Sequence, residues 1–334
     1  MLPLMHTLLN RLTPVKVRFI LPLIVVLALP FGLVAWASGQ GDPSDVSAWA
    51  RDWTHQTRTL DYAGTVLIAG NGGTQAFDLW HEYEDGRERE RLRRRDGPLL
   101  EIDRVDDELT CVHGPDADIP EDHALPGSPF AQLLHMEPDQ VAAHYTASHL
   151  GRDRVANRNA DAYELKHRDN PELHRHRVWL DSDTRVLLRY QIVNAEGELL
   201  SEARFTDISY EAFDFPRSLA DRFADSFWHR FQAQSVTSSS DAQSVWSADW
   251  MPSGFTAQVE ERRGDGWYQL WSDGVVKLSI MVDPIGQDQQ PLNVSQRQGG
   301  DAMVAQAHDQ WQVVVVGAVP MATAERIAAS ISWE

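Results

Sequence analysis

The sequence predicts an α+β protein. A large N-terminal half-open antiparallel β-barrel, packed on helices, precedes a small α+β C-terminal domain. Three observations carry this. From residue 62 to 210, short segments alternate apolar and polar side chains with period two, separated by Gly, Asn and Asp turns, the pattern of an antiparallel strand series. Helical segments are few. The polar stretch Thr237–Ser244 (TSSSDAQS) reads as a linker, and the chain beyond it is long enough for a second small domain.

The chain opens with a leader. Arg11, Lys16 and Arg18 precede an uncharged apolar run from Phe19 to Ala37, which ends Ala35-Trp36-Ala37. Basic region, apolar region and A-x-A site make a cleavable secretory signal peptide, residues 1–37. A transmembrane anchor is the alternative reading of so long a run, weakened by Pro22, Pro30 and Gly32. The expected compartment is the bacterial periplasm.

Residues 44–58 read as a helix capped by Ser44, with Val46, Trp49 and Trp53 on one face. Strands follow at Tyr62–Ala69, Phe77–Tyr83, Arg87–Arg95, Leu99–Val105 and Leu109–His113, with a hairpin turn at Asp85-Gly86. Residues 114–129 read as a loop, and Phe130–Leu150 as a helix broken at Pro138. Strands resume at Arg152–Ala156, Ala162–His167, His174–Leu180, Val186–Val193 and Leu199–Tyr210. The second unit holds strands at Phe255–Arg262, Trp267–Trp271, Val275–Val282 and Trp311–Val316, then a helix at Ala322–Ser330. The expected division is leader 1–37, large domain 44–232, linker 233–246 and small domain 247–334.

Charge and composition exclude several function classes. The 334 residues carry a formal net charge of −19, and loss of the leader removes three more positive charges. Such a balance argues against nucleic-acid partners. All but three of the basic residues are arginine, the exceptions being Lys16, Lys166 and Lys277. Cys111 is the sole cysteine, so an intramolecular disulfide and a cysteine-based zinc site are excluded, and its strand context suits a small buried residue. No GxSxG, Walker A or GxGxxG motif occurs. Their absence disfavours an enzyme and gives no sign of a cofactor.

Three constellations remain. Arg87, Arg89, Arg91, Arg93 and Arg95 fall on one face of a strand. Guanidinium groups cannot be buried unpaired, so they face solvent, carboxylates or the headgroup of an anionic lipid. Phe77, Leu79 and Tyr83 share one strand face, as do Leu188, Tyr190 and Ile192; these apolar faces line either a packed core or a lipid cavity. His174 and His176 share a face, but no spaced ligand set accompanies them, so no metal site is expected.

The order of several segments resembles the RseB/MucB family of periplasmic regulators of envelope-stress sigma factors. In the large domain they are Leu60-Asp61-Tyr62-Ala63-Gly64-Thr65, His81 with Asp85-Gly86, Glu88–Leu92, Asp96–Ile102, Gly151–Ala156 and Val178–Asp181. In the small domain they are Trp250–Phe255, Trp271–Gly274 and Val316–Pro320. The resemblance implies a chain that is not an enzyme, and a lipoprotein-carrier-like large domain with an apolar concavity. It implies binding to the periplasmic segment of a membrane anti-sigma factor of the RseA or MucA type, which is thereby shielded from proteolysis. Lipid, lipopolysaccharide or mislocalised lipoprotein would relieve that shielding. It points to Trp250, Phe255, Trp271 and Asp273 as candidate anti-sigma contacts, with turn roles an open alternative for Asp273. A periplasmic lipid or lipoprotein carrier is the rival function, and a homo-oligomer stays open.

Overall fold

The computed structural model describes residues 42–70, 73–106, 108–114, 133, 136–219, 221, 229–233, 245–286 and 290–333. The expected leader, almost all of the 114–129 loop and the Thr237–Ser244 linker lie outside these residues.

Two antiparallel meanders join edge to edge. The first comprises β1 (Tyr62–Gly70), β2 (Gly73–Glu84), β3 (Arg87–Arg94), β4 (Leu100–Val105) and β5 (Glu108–His113). The second comprises β6 (Tyr145–Val155), β7 (Arg158–His167), β8 (Arg175–Asp181), β9 (Leu187–Val193) and β10 (Leu199–Ser209). β1 pairs with β10, and β11 (His229–Ala233) adds beyond β5, giving one 11-stranded sheet in the order β11-β5-β4-β3-β2-β1-β10-β9-β8-β7-β6. β11 and β6 are the two ends of this order, so the sheet is half open rather than closed. Asp85 and Gly86 take φ of 52° and 81°, the left-handed pair that a two-residue hairpin needs. Ala156 and Asn157 do the same at 49° and 62°, although alanine gives no turn signal there.

Period-two pairing assigns the sheet faces. Tyr62, His81, Glu90 and Arg104 stand opposite one another in register, as do Val66 and Phe77, and Leu79 and Leu92. Helix α1 (Val46–Thr59) lies against this face. Its N-cap is Asp45, whose side chain accepts from Ala48 N–H at 2.9 Å, not the expected Ser44. Trp49 and Trp53 are buried; the Trp49 ring lies tilted with its centroid 5.1 Å from that of Tyr163, and Thr57 Oγ1 accepts from Leu187 N–H. Each buried large apolar side chain contributes about 1.5–3 kcal/mol relative to exposure.

The expected helix over Phe130–Leu150 is corrected. Leu133 is helical and 136–137 are not, so the expected break falls at Pro138, which opens a new helix, α2 (Pro138–His144), as suits a residue with no N–H to donate; the error lies at the C-terminal end. Residues from Tyr145 onward enter β6, with Tyr145 and Ala147 buried. Pairing along β7 outweighs the local helical pattern.

The small domain holds a six-stranded sheet in the order β13-β14-β15-β18-β17-β16. Its strands are β13 (Thr256–Arg263), β14 (Gly266–Ser272), β15 (Lys277–Pro284), β16 (Val294–Gln298), β17 (Asp301–His308) and β18 (Trp311–Gly317). Helix α3 (Met321–Ala329) packs on it through Ala324, Ile327 and Ala328, and β12 (Trp246–Ala248) pairs with β19 (Ile331–Trp333). Leu278, Ile280, Val282, Val304, Val313 and Val315 are buried. The sequence reading missed β11, β12, β16, β17 and β19.

Candidate functional site

The lipid-cavity candidates come together on one sheet face. β10 links the two groups: Val66 of β1 pairs with Phe77 and with Phe205, and Ala203 pairs with Tyr190. Phe77, Leu79, Leu188, Tyr190 and Ile192 are all buried, whereas Tyr83, at the strand end, is 40% exposed.

Part of this face is covered by the small domain. A Cβ at Gly300 would stand 2.9 Å from Ile192 Cδ1, so the small domain's β16–β17 turn sits on Ile192. His176 Nδ1 and Tyr190 Oη share a 2.7 Å hydrogen bond beneath it. His176 and Tyr190 line a cavity of about 70 Å³ with Val275, Val276, Lys277, Asp301 and Ala318, room for about two waters. His174 and His176, expected to share a strand face, are interior: His174 is 4% exposed and His176 is 1% exposed.

A second contact joins the domains at α2. The turn after β14 carries Asp273, fully buried, whose Oδ1 accepts from Val275 and Val276 N–H at 2.9 and 2.7 Å. Its Oδ2 accepts from Tyr145 Oη at 2.6 Å across the domain contact. Burial raises the Asp273 carboxyl despite these donors. Gly274 has φ +97°, and a Cβ there would meet Gln140 Cβ at 2.7 Å; Gly254, with φ +93°, abuts His144 and His167 equally closely. Both positions exclude a side chain twice over, by backbone conformation and by space. Asn170 Nδ2 donates to Ser253 O at 3.1 Å, and His144 and His167 stack with centroids 6.0 Å apart.

The anti-sigma candidates differ in exposure. Asp273 and Phe255 are buried and so offer no outer surface in this arrangement. Trp250 and Trp271 remain partly exposed. Arg326 lies 3.7 Å over the Trp250 ring, and Trp271 Nε1 donates to Gln269 at 3.0 Å.

The arginine stripe lies on the other face of the sheet from the apolar candidates, because β3 alternates. Four of its five charges meet carboxylates within the chain. Arg87 pairs with Asp106 at 3.5 Å, Arg93 with Glu101 at 2.7 Å and Arg95 with Asp78 at 3.5 Å. Arg89 lies 4.0 Å over the Phe215 ring. Arg91 is 1% exposed, held by Asp103 and the Pro216 carbonyl, which removes it as a headgroup contact. No single ligand can span both candidate sets through the sheet.

The covered face also holds a network that the sequence did not signal. Glu88 accepts from Arg58 Nε at 2.8 Å and from Arg104 NH2 at 2.5 Å, and lies 3.2 Å from His81 Nε2. Burial raises the Glu88 carboxyl, but its hydrogen bonds with His81 and Arg104 win and hold it well below the usual range. Neighbouring Glu90, without such donors, is raised by burial. Cys111 is buried, and burial pushes its thiol up to about 11. Among the described residues no group of three His, Cys, Asp or Glu side chains is placed to hold a metal.

The fold and site define a two-domain binding protein, an apolar sheet face partly covered by a second, smaller sheet. The chain belongs to the MucB/RseB family. The profile of the MucB/RseB N-terminal domain matches residues 45–237, and that of the C-terminal domain matches residues 240–332. The chain is similar to the sigma factor AlgU regulatory protein MucB of Pseudomonas aeruginosa, with 30% identity over 315 residues, 87% of this chain and 93% of that one. It is similar to the sigma-E factor regulatory protein RseB of Salmonella typhimurium, with 24% identity over 310 residues, 89% and 93% of the two chains. Among solved structures it resembles MucB from the Pseudomonas aeruginosa MucA/MucB complex, with TM-score 0.66, 26% identity, and 87% and 99% coverage. The relatives are named as regulatory proteins, not as enzymes.

Proposed function

We propose that this protein is a periplasmic regulator that binds the periplasmic segment of a membrane anti-sigma factor and shields it from regulated proteolysis. The observation that carries this reading is the likeness across both domains to a MucB solved together with MucA. Export by a leader at residues 1–37 accords with it, as does a division into domains at 44–232 and 247–334. Trp250 and Trp271 are the remaining contact candidates with accessible surface.

An acylated ligand, whether lipid, lipopolysaccharide or mislocalised lipoprotein, would relieve the shielding from the covered face. The 70 Å³ cavity there is too small for an acyl chain, so occupancy requires that the chain displace side chains or the small domain. Such a ligand acts only if it binds the partner-free form more tightly. Arg87, Arg89 and Arg95, on the other face, stay available to anionic headgroups as a separate surface. A carrier would use the same apolar face, but it has no need of a second domain packed over it. The test is capture from envelope extracts by the tagged protein, with and without lipid extraction. Recovery of a single-span anti-sigma factor supports the reading, and its consistent absence under both conditions overturns it.

A further inference from the structure

We propose that the contact between the large sheet and the small domain is an acid-releasable latch whose sensing groups are His167, His174 and His176. These three rings are 2%, 4% and 1% exposed, and each lies where the small domain meets the large one. The latch is independent of the anti-sigma reading above and concerns only how the two domains hold each other.

Burial is what makes a proton unwelcome on each ring in the docked form, outweighing the backbone carbonyls beside His174 and the carboxylates beside His167, which favour it. His176 shares its Nδ1 hydrogen bond with Tyr190 Oη, and its Nε2 makes no hydrogen bond. Around it stand Tyr190 of β9, Tyr145 of β6, His174 of its own segment, and Lys277 and Asp301 across the cavity. His174 faces the backbone of Gly300 and Val319, with Arg297 of β16 nearby. His167 faces Tyr145, His144, Asp169 and Asp273, with the Ser253 backbone beside it. Its Nδ1 accepts from the N–H groups of Asp169 and Asn170 at 3.2 and 3.1 Å.

Burial pushes His174 down to about 4 and His176 down to about 3, and lowers His167 as well. Separation of the domains returns such rings toward the ordinary value of about 6.5. The sign follows: the docked form binds fewer protons, so docking is at full strength above about pH 6.5 and weakens as pH falls toward the docked values. Each fully released ring costs the docked form about tenfold per pH unit, or about thirtyfold between pH 7.5 and 5. Asp273 opposes this, because burial raises its carboxyl and the docked form takes up its proton on acidification. Asp301, which shares the cavity with His176, opposes it in the same way because burial raises its carboxyl, so two carboxyls work against three imidazoles.

Amide hydrogen exchange of the purified protein at pH 7.5 and 5.0, corrected for intrinsic rates, tests the latch. Protection in Arg175–Asp181 and in Ser272–Val276 is expected to fall at least tenfold at pH 5.0, while β1 to β4 keep theirs. The variant carrying His174→Gln and His176→Phe, checked for native circular dichroism at pH 7.5, is expected to lose most of the pH effect. Three results would overturn the latch: no pH-dependent loss in these two segments, a parallel loss in β1 to β4, or an undiminished effect in the folded variant. Should that variant fail to fold, His176→Phe alone serves in its place, with the pH effect expected to shrink by up to about thirtyfold; an undiminished effect in the folded single variant would likewise overturn the latch.

Discussion

Asp273 illustrates what a single side chain does here. Its carboxylate closes its own turn and also holds Tyr145 of the other domain. Tyr145→Phe leaves a buried acceptor short of a donor, and urea denaturation is expected to report a loss of about 1–3 kcal/mol. An unchanged midpoint would mean that the hydroxyl contributes nothing across the contact. Glu88 carries a second residue-scale expectation. Its carboxyl is held low in the folded state, so the stability it contributes is present above the unfolded value of about 4.3 and is lost as pH falls below it. Glu88→Gln leaves buried Arg104 with Glu90, at 3.8 Å, as its counter-charge, an expected cost of about 1–3 kcal/mol at pH 7. The same variant is expected to flatten the acid limb of the stability curve. Neither role was readable from sequence. Asp273-Gly274 carries a turn signal, but nothing local says that the turn faces Tyr145, and Glu88 sits in a run whose alternation says only which residues share a face.

At the scale of elements, alternation and hairpin turns were legible wherever strong strand formers and Gly or Asn coincide, as from Tyr62 to Val105. Legibility failed where pairing partners decide. Tyr145–Leu150 reads as helix locally but becomes strand because β7 supplies a full ladder. β17 holds three Ala among its eight residues, a residue with little strand preference, and β16 is exposed along its whole length, so no apolar face announces it. The α1 cap offers a sharp check. Asp45→Ala is expected to cost about 1 kcal/mol and Ser44→Ala almost nothing, measured by chemical denaturation. Equal effects would contradict the Asp45 cap geometry.

For the whole molecule, the apolar sheet face and the small domain meet at Ile192 and at the cavity beside Tyr190. The candidate lipid residues Tyr190 and Ile192 lie where the small domain rests, so a ligand at those residues and a docked small domain compete for the same surface. Family resemblance reached this far from sequence because its segments recur in order through both domains. It did not reach the interior placement of His174, His176 and Asp273, which depends on how the two sheets pack. The central claim is that the protein shields an anti-sigma factor. It is tested most directly by the rate at which a periplasmic protease cleaves that factor's periplasmic segment, with and without this protein. The account predicts cleavage slowed in proportion to the fraction of segment bound. A rate unchanged at saturating protein would contradict it.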